Sequence, residues 1–291
     1  MIGLDVPRVF QDVAGIRTAT YRSMPASGPD GHGKPPTVVL LHGAAPGACS
    51  DLNWFRNLDV LAQAGYDVVA YDQPGYGYSA VPDDHSIEFR YRHAAAFLES
   101  LGVESVHLIG NSVGGLLSTL LYHRSAQRGG PRIRSLVLAA PFPFFDAPAS
   151  AEAKLAQHRG RLSSIEPTIE SIRALCLNTF NQPEQVTDEI VELRLAMLQG
   201  ERWAAHKARA GISREFDRAA IRRAVLDVPT LMIWGLQDRS LPCDIGVAAF
   251  EHFSDARFLF LPRCGHWPQT EQAEMFNRAV VDFLRERNQS V

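Results

Sequence analysis

The run Val106-His107-Leu108-Ile109-Gly110-Asn111-Ser112-Val113-Gly114-Gly115 begins as a short β-rich stretch and breaks off in glycine. From Val113 to about residue 126 it continues with helical spacing. A serine between a strand and a helix, flanked as Gly-x-Ser-x-Gly, is the context in which that motif exposes a nucleophile. The turn is too tight for large neighbours, so glycines flank the serine, and Ser112 is held out at the carboxyl end of the strand. The N–H of Val113 then opens a helix, where backbone donors lack intrahelical partners and the dipole favours negative charge. An oxyanion developing beside Ser112 would be stabilised there.

Similar β-rich runs lie on both sides of this turn. Residues 37–41, 66–71, 135–139, 230–234 and 258–261 are short, apolar and bounded by turn residues, which predicts buried parallel strands. Between them, residues 53–64, 85–101, 113–126 and 268–287 carry helical spacing. Strand alternating with helix predicts an α/β sheet covered on both faces. Residues 8–22 read as an antiparallel pair turning at Gly15. The alternation fails from about Phe142 to Asp227, where helical spacing dominates and Pro148, Pro167 and Pro183 punctuate. The expected organisation is one core in two pieces, 1–141 and 228–291, with a helical cap at 142–227. The polar tail after Leu284 is expected to fray.

A serine nucleophile needs a base, and the base needs a group that fixes its tautomer. Of ten histidines, several, such as His32, His85, His158 and His252, lie in polar segments. His266 differs, because Cys264-Gly265-His266-Trp267 follows the last predicted strand. Asp238 follows the strand at 230–234, with Arg239 beside it. Ser112, Asp238 and His266 therefore share the carboxyl edge of one sheet, in the chain order this motif requires. The second oxyanion donor belongs to the loop His42-Gly43-Ala44-Ala45-Pro46-Gly47-Ala48, with the N–H of Ala44 first choice and that of Ala45 second. His42 is read as bracing that loop.

Composition narrows the partners. In 291 residues, 29 Lys and Arg stand against 32 Asp and Glu, for a net charge of −3. This balance gives no electrostatic reason to expect nucleic acid or an anionic membrane as the main partner, and the expected partner is a small-molecule substrate. No run approaches 18 apolar residues, and residues 1–8 lack the pattern of a secretory signal. With four scattered cysteines and no Cys-x-x-Cys pair, the expected location is the cytoplasm. No histidine pair has the spacing of a metal site, and no metal or cofactor is expected. Assembly as a homo-dimer or larger homo-oligomer is the general default.

Several stretches together resemble the meta-cleavage-product hydrolases, the carbon–carbon bond hydrolases of aromatic catabolism within the α/β-hydrolase superfamily. They are Leu40–Ala48, Asn53 with Arg56-Asn57, Ala64-Gly65-Tyr66, Asp72-Gln73-Pro74-Gly75, Gly110–Gly115, and Cys264–Trp267 with Phe276-Asn277-Arg278. The resemblance implies the α/β-hydrolase fold and a substrate with a dienol carboxylate beside a ketone. In that scheme the dienol is first ketonised. Water or the serine then attacks the remote carbonyl, and a carboxylic acid and a dienoate leave. Asn53, Asn111, a cap arginine and Trp267 grip the polar end. The chain departs from the resemblance at Ala45, Val113 and Thr270.

The cap arginine also has a physical argument. Residues 187–199 open with Thr187 or Asp188 as a good N-cap and carry Ile190, Leu193, Met197 and Leu198 on one face. Arg194 shares that face, where a cation must snorkel, pair or meet an anion. A substrate carboxylate or enolate and a structural ion pair are the two readings. Phe142, Phe144 and Phe145, at the junction of core and cap, are split between core and pocket wall, and Trp203 fits either. Two other functions stay open on the same residues. One is an ester, thioester or lactone hydrolase with the same triad. The other is a ligand-sensing member that binds without turnover.

Overall fold

The computed structural model of the chain describes all residues except 1, 26, 30, 32, 126–128, 212–217 and 290–291. Among the described residues eight strands form one sheet: β1 (Arg8–Val13), β2 (Ile16–Ser23), β3 (Thr37–Leu41), β4 (Asp67–Tyr71), β5 (Ser105–Asn111), β6 (Arg132–Ala139), β7 (Thr230–Gly235) and β8 (Ala256–Leu261). Their order is β1-β2-β4-β3-β5-β6-β7-β8. β1 and β2 pair antiparallel, as does β2 with β4, and every other pair is parallel.

The parallel strands are continuous apolar runs because both faces are covered. Val39, Leu41, Val69, Tyr71 and Leu108 point into one buried cluster, and Val38, Leu40, Val68, Ala70 and Ile109 into another. This period-two alternation assigns each residue to one helical layer. The strand order also locates the crevice. From β3 the chain crosses to β4 on one side, while β5 lies on the other side of β3. Loops leaving neighbouring strands in opposite directions open a gap at their carboxyl ends. The register pairs Leu41 with Gly110, so the loop after Leu41 and the turn at Ser112 stand side by side.

Between β6 and β7 the described chain is helical: Ala149–Ser163, Ile169–Thr179, Asp188–Ala196, Glu201–Gly211 and Arg218–Ile221, with a short 3-10 turn at Pro183–Gln185. Residues 212–217 of the expected cap lie outside the described residues. A third buried cluster joins these helices to the core through Cys49, Leu52 and Trp267.

Two predicted helices are broken. The segment 53–64 divides into Ser50–Trp54 and Leu58–Gln63. Asn57 turns the chain between them, because its Nδ2 donates to Gln269 O at 2.9 Å and to Asn277 Oδ1 at 2.8 Å. The segment 268–287 divides into Pro268–Glu271 and Ala273–Gln289, with Gln272 non-helical at the joint. Among the described residues after Leu284, where fraying was expected, the helix continues to Gln289. Arg134 donates to Arg287 O at 2.9 Å, and Asn288 bridges Tyr66 and His107, which ties this end to the sheet.

Candidate active site

The serine turn is held in an unusual conformation. Ser112 has φ +53°, a left-handed value that serine rarely adopts. Backbone bonds over-determine it: Ser112 N donates to Ala139 O at 3.0 Å, and Ser112 O accepts from Phe142 N at 2.9 Å and Leu116 N at 3.1 Å. Strain confined this way is typical of functional turns. Gly114 is required by close approach, because a Cβ there would lie 2.1 Å from Leu41 O. The helix Val113–Ser125 therefore starts directly against β3, and Val113 N–H belongs to its first turn.

His266 and Asp238 meet beside this turn. The ring Nδ1 of His266 lies 2.7 Å from Asp238 Oδ2. The other carboxylate oxygen accepts from Ser240 N at 2.7 Å and Leu241 N at 2.9 Å. An ionised aspartate only accepts, so Nδ1 carries the proton and Nε2 is left as the base. Ser112 and His266 line one cavity of about 480 Å³, together with Gly43, Ala44, Ala45, Asn53, Asn111 and Trp267. Arg239, whose charge could have neutralised Asp238, donates instead to Leu177 O at 3.2 Å.

The loop after β3 is fastened from behind. His42 is buried, and its Nε2 accepts from Gln73 N at 2.9 Å, which leaves the proton on Nδ1 facing Gly43 O. Burial pushes this histidine down to about 4, so it is neutral at physiological pH. Tyr76 donates its hydroxyl to Ala44 O at 3.1 Å, which orients the peptide that follows. Ala45 takes no positive φ, so alanine sits there without strain.

Two buried amides face the cavity incompletely satisfied. Asn53 Oδ1 accepts from Gly43 N at 3.3 Å, while Asn53 Nδ2 has no partner within the protein. Asn111 Nδ2 donates to Ala139 O at 3.0 Å, while Asn111 Oδ1 has none. Buried polar groups of this kind cost stability unless something bonds them.

Arg194 stands one layer behind the cavity wall. It is 0% exposed, its Nε donates to Pro46 O at 2.9 Å, and its guanidinium lies 5.1 Å from the centre of the Trp267 ring. Nη1 reaches Cys176 Sγ at 3.7 Å, and Nη2 has no partner. Ile190, Met197 and Leu198 are buried in one cluster with Leu193 packed against it, as the stripe read from sequence required, and Val191 and Arg194 are buried with them.

Sequence reading passed over Glu271. Its Oε1 accepts from Gly265 N at 2.9 Å and Trp267 N at 3.4 Å, and its Oε2 from Asn181 N at 2.7 Å. It clamps both sides of His266 to the helical insertion, and burial raises its pKa. No motif marks such a residue, because its partners are backbone groups far away in the chain. Among the polar-segment histidines, His85 and His158 also line the cavity, as does His206. His252 instead stacks on Phe145 with centroids 4.3 Å apart, and His32 lies outside the described residues. Phe142 lines the cavity, whereas Phe144 and Phe145 are core. Trp203 stacks on His206. Among the described residues no three His, Cys, Asp or Glu side chains group as a metal ion would need, and no helix is long and apolar enough to cross a membrane.

The chain as a whole is similar to known proteins. Residues 38–279 match the model of the alpha/beta hydrolase family. The chain is 36% identical over 259 residues to a 2-hydroxy-6-oxononadienedioate/2-hydroxy-6-oxononatrienedioate hydrolase of Paraburkholderia xenovorans, covering 85% of this chain and 86% of the relative. It is 30% identical over 265 residues to a 2-hydroxy-6-oxo-6-phenylhexa-2,4-dienoate hydrolase of Comamonas testosteroni, covering 88% and 90%. Among solved structures, a meta-cleavage product hydrolase of Pseudomonas fluorescens superposes with a TM-score of 0.80 at 25% identity, over 97% of this chain and 98% of that one.

Proposed function

Because the chain belongs to the alpha/beta hydrolase family and is a hydrolase, we propose that it cleaves a carbon–carbon bond in a 2-hydroxy-6-oxo-dienoate, with Ser112, His266 and Asp238 as its catalytic triad. The observation that carries this reading is the pair of buried amides, Asn53 and Asn111, each with an unpartnered polar atom in the cavity that holds Ser112 and His266. Ester hydrolysis asks for a nucleophile, a base and an oxyanion hole. A second set of desolvated polar groups asks for a second polar end on the substrate, which the dienol carboxylate supplies. The named relatives act on such compounds.

The chemistry balances with water as the only co-reactant. Ketonisation moves a proton from the dienol oxygen to carbon and makes the fragment an electron sink. Ser112 gives its proton to His266 Nε2 and attacks the remote ketone. The N–H groups of Val113 and Ala44, with Ala45 as alternate, hold the oxyanion. Collapse breaks the bond between the acyl carbon and its neighbouring carbon, whose electron pair enters the dienolate. His266 returns the proton, and water hydrolyses the acyl-serine to the carboxylic acid. Asn53, Asn111 and Trp267 hold the dienoate. Arg194 contributes a cation behind Trp267, where developing dienolate charge is stabilised more than the starting ketone.

Incubation with a 2-hydroxy-6-oxo-dienoate and identification of products by mass tests this reading. The expected products are a 2-hydroxydienoate and the acid from the acyl side. An unchanged dienoate, with ester dyes turned over by the same preparation, would make the protein an ester or lactone hydrolase.

A further inference from the structure

The loop that carries His266 is held along its whole length by groups outside it. The N–H groups of Gly265 and Trp267 donate to Glu271 Oε1 at 2.9 and 3.4 Å. The N–H between them, that of His266, donates to Thr179 O at 2.8 Å. Every backbone donor from Gly265 to Trp267 therefore has a fixed partner, on Glu271 or on the helical insertion. Glu271 reaches the insertion as well, because its Oε2 accepts from Asn181 N at 2.7 Å. It closes the short helix Pro268–Glu271, whose N-cap is Trp267, so its side chain folds back over its own helix start in the manner of a capping carboxylate. Gly265 shows how little slack the seam leaves. A Cβ there would lie 2.4 Å from Thr179 O, 2.8 Å from Asn181 N and 2.9 Å from Glu271 Oε1. Further contacts run along the same seam. Gln182 Nε2 donates to Arg263 O at 3.0 Å, and Gln185 Nε2 to Glu271 O at 3.2 Å. Phe180 meets Trp267 edge-on, with ring centroids 5.3 Å apart.

We propose that Glu271 is a positioning residue for the base: by binding Gly265 and Trp267 through one oxygen and Asn181 through the other, it makes segment 179–181 of the insertion a fixed support of His266. The imidazole takes and returns a proton at Nε2, which requires the ring to keep its place between Asp238 and the cavity. A displacement of about 1 Å in such a group can cost about a hundredfold in rate. A carboxylate suits this role and an amide does not. All the backbone partners of the side chain are donors, and only a carboxylate offers acceptors on both oxygens. A glutamine whose oxygen faced Gly265 and Trp267 would turn its amide nitrogen toward Asn181 N–H, donor against donor, and leave both unsatisfied. The inference rests on the triad and not on carbon–carbon cleavage, since the same base serves an ester.

Glu271→Gln and Asn181→Pro test it on an ester dye. Active sites are counted by complete labelling of Ser112 with a fluorophosphonate, so misfolded molecules drop out of the rate. Proline removes only the donor on the insertion side, and the extended backbone of Phe180 (φ −87°, ψ 141°) accommodates a proline after it. Each variant should lower kcat per labelled site by about ten- to a hundredfold. KM should change little, because Asn53 and Asn111 lie on other elements. Both substitutions remove the same contact, so the double variant should lose less than the product of the two single losses. Wild-type kcat per site in either single variant, a loss carried by KM alone, or losses that multiply in the double variant overturns the proposal. Ester turnover that survives Ser112→Ala overturns the triad and this inference with it. A dienoate left uncleaved bears on the proposed substrate and leaves the test on the ester dye unaffected.

Discussion

Ser112 meets two demands that conflict in most sequences: a left-handed backbone and a place on the cavity wall at the start of a helix. Ser112→Ala keeps the turn and removes the nucleophile. Hydrolysis should fall by about 10⁴- to 10⁶-fold while substrate binding persists, which steady-state rates and equilibrium titration check together. Near-normal turnover would remove the nucleophilic role. Arg194 should separate reaction types. Arg194→Lys cannot reproduce both the bond to Pro46 O and the cation over Trp267, so dienoate cleavage should drop about tenfold or more. Simple esters, which develop no remote charge, should lose less, and equal losses on both would indicate folding damage. The placement of Ser112, Asp238 and His266 at one sheet edge was legible in the sequence, because each follows an apolar run that forms a strand. The roles of Glu271 and Tyr76 were not legible, because their partners are backbone groups contributed by distant segments.

At the scale of elements, the loop after β3 and the helix Asp188–Ala196 behave as one unit. Gly47 has φ +70°, and a Cβ there would lie 2.2 Å from Arg194 O. Gly47→Ala should therefore displace the loop from the helix, disturbing Ala44 and Pro46 together. The left-handed alanine alone costs about 1–2 kcal/mol, or roughly 1.5–3 °C in melting temperature for a chain of this size, and turnover should fall in parallel. Calorimetry with rate measurement checks both, and an unchanged melting temperature would contradict the contact. The helical insertion should open unevenly. His266 N donates to Thr179 O at 2.8 Å, and Glu271 holds Asn181, so the helix Ile169–Thr179 is tied to the core. The helix Ala149–Ser163 buries only Ala151, Leu155 and Leu162. Hydrogen exchange should be faster in Ala149–Ser163 than in Ile169–Thr179, and the reverse order would contradict this account of the cap. The sequence carried the strands well, because a buried parallel strand is a continuous apolar run. It lost the breaks at Asn57 and Gln272, because those are set by tertiary hydrogen bonds that override helical spacing.

For the whole molecule, acid should act through buried histidines. Burial pushes His93 and His107 down to about 4 from an ordinary value of 6.5. Below pH 6.5 the unfolded chain takes up protons that the folded chain refuses. Their stabilisation is complete above about pH 6.5 and is lost as pH falls toward 4, about 3 kcal/mol for each. Burial raises the pKa of Asp51, Asp72 and Glu271. These carboxyls take up protons in the folded state first and act in the opposite sense. The difference between wild type and His107→Gln isolates the histidine. Urea unfolding should show the variant losing less stability between pH 7 and 4.5, and parallel curves would contradict the assignment. The cavity itself joins all three levels, since its walls come from the β3 loop, the Ser112 turn, the His266 loop and the helical insertion.

The most direct measurement is the visible absorbance of a ring-fission 2-hydroxy-6-oxo-dienoate followed after mixing with wild-type, Ser112→Ala and His266→Ala protein. Cleavage destroys the conjugation, so the wild type should bleach the solution with release of one equivalent of acid. Ser112→Ala should bind without completing cleavage, and His266→Ala should fail at ketonisation as well. Absorbance that stays constant with wild-type protein that hydrolyses an ester dye, or acid release that survives in Ser112→Ala at the wild-type rate, would contradict carbon–carbon cleavage by this triad.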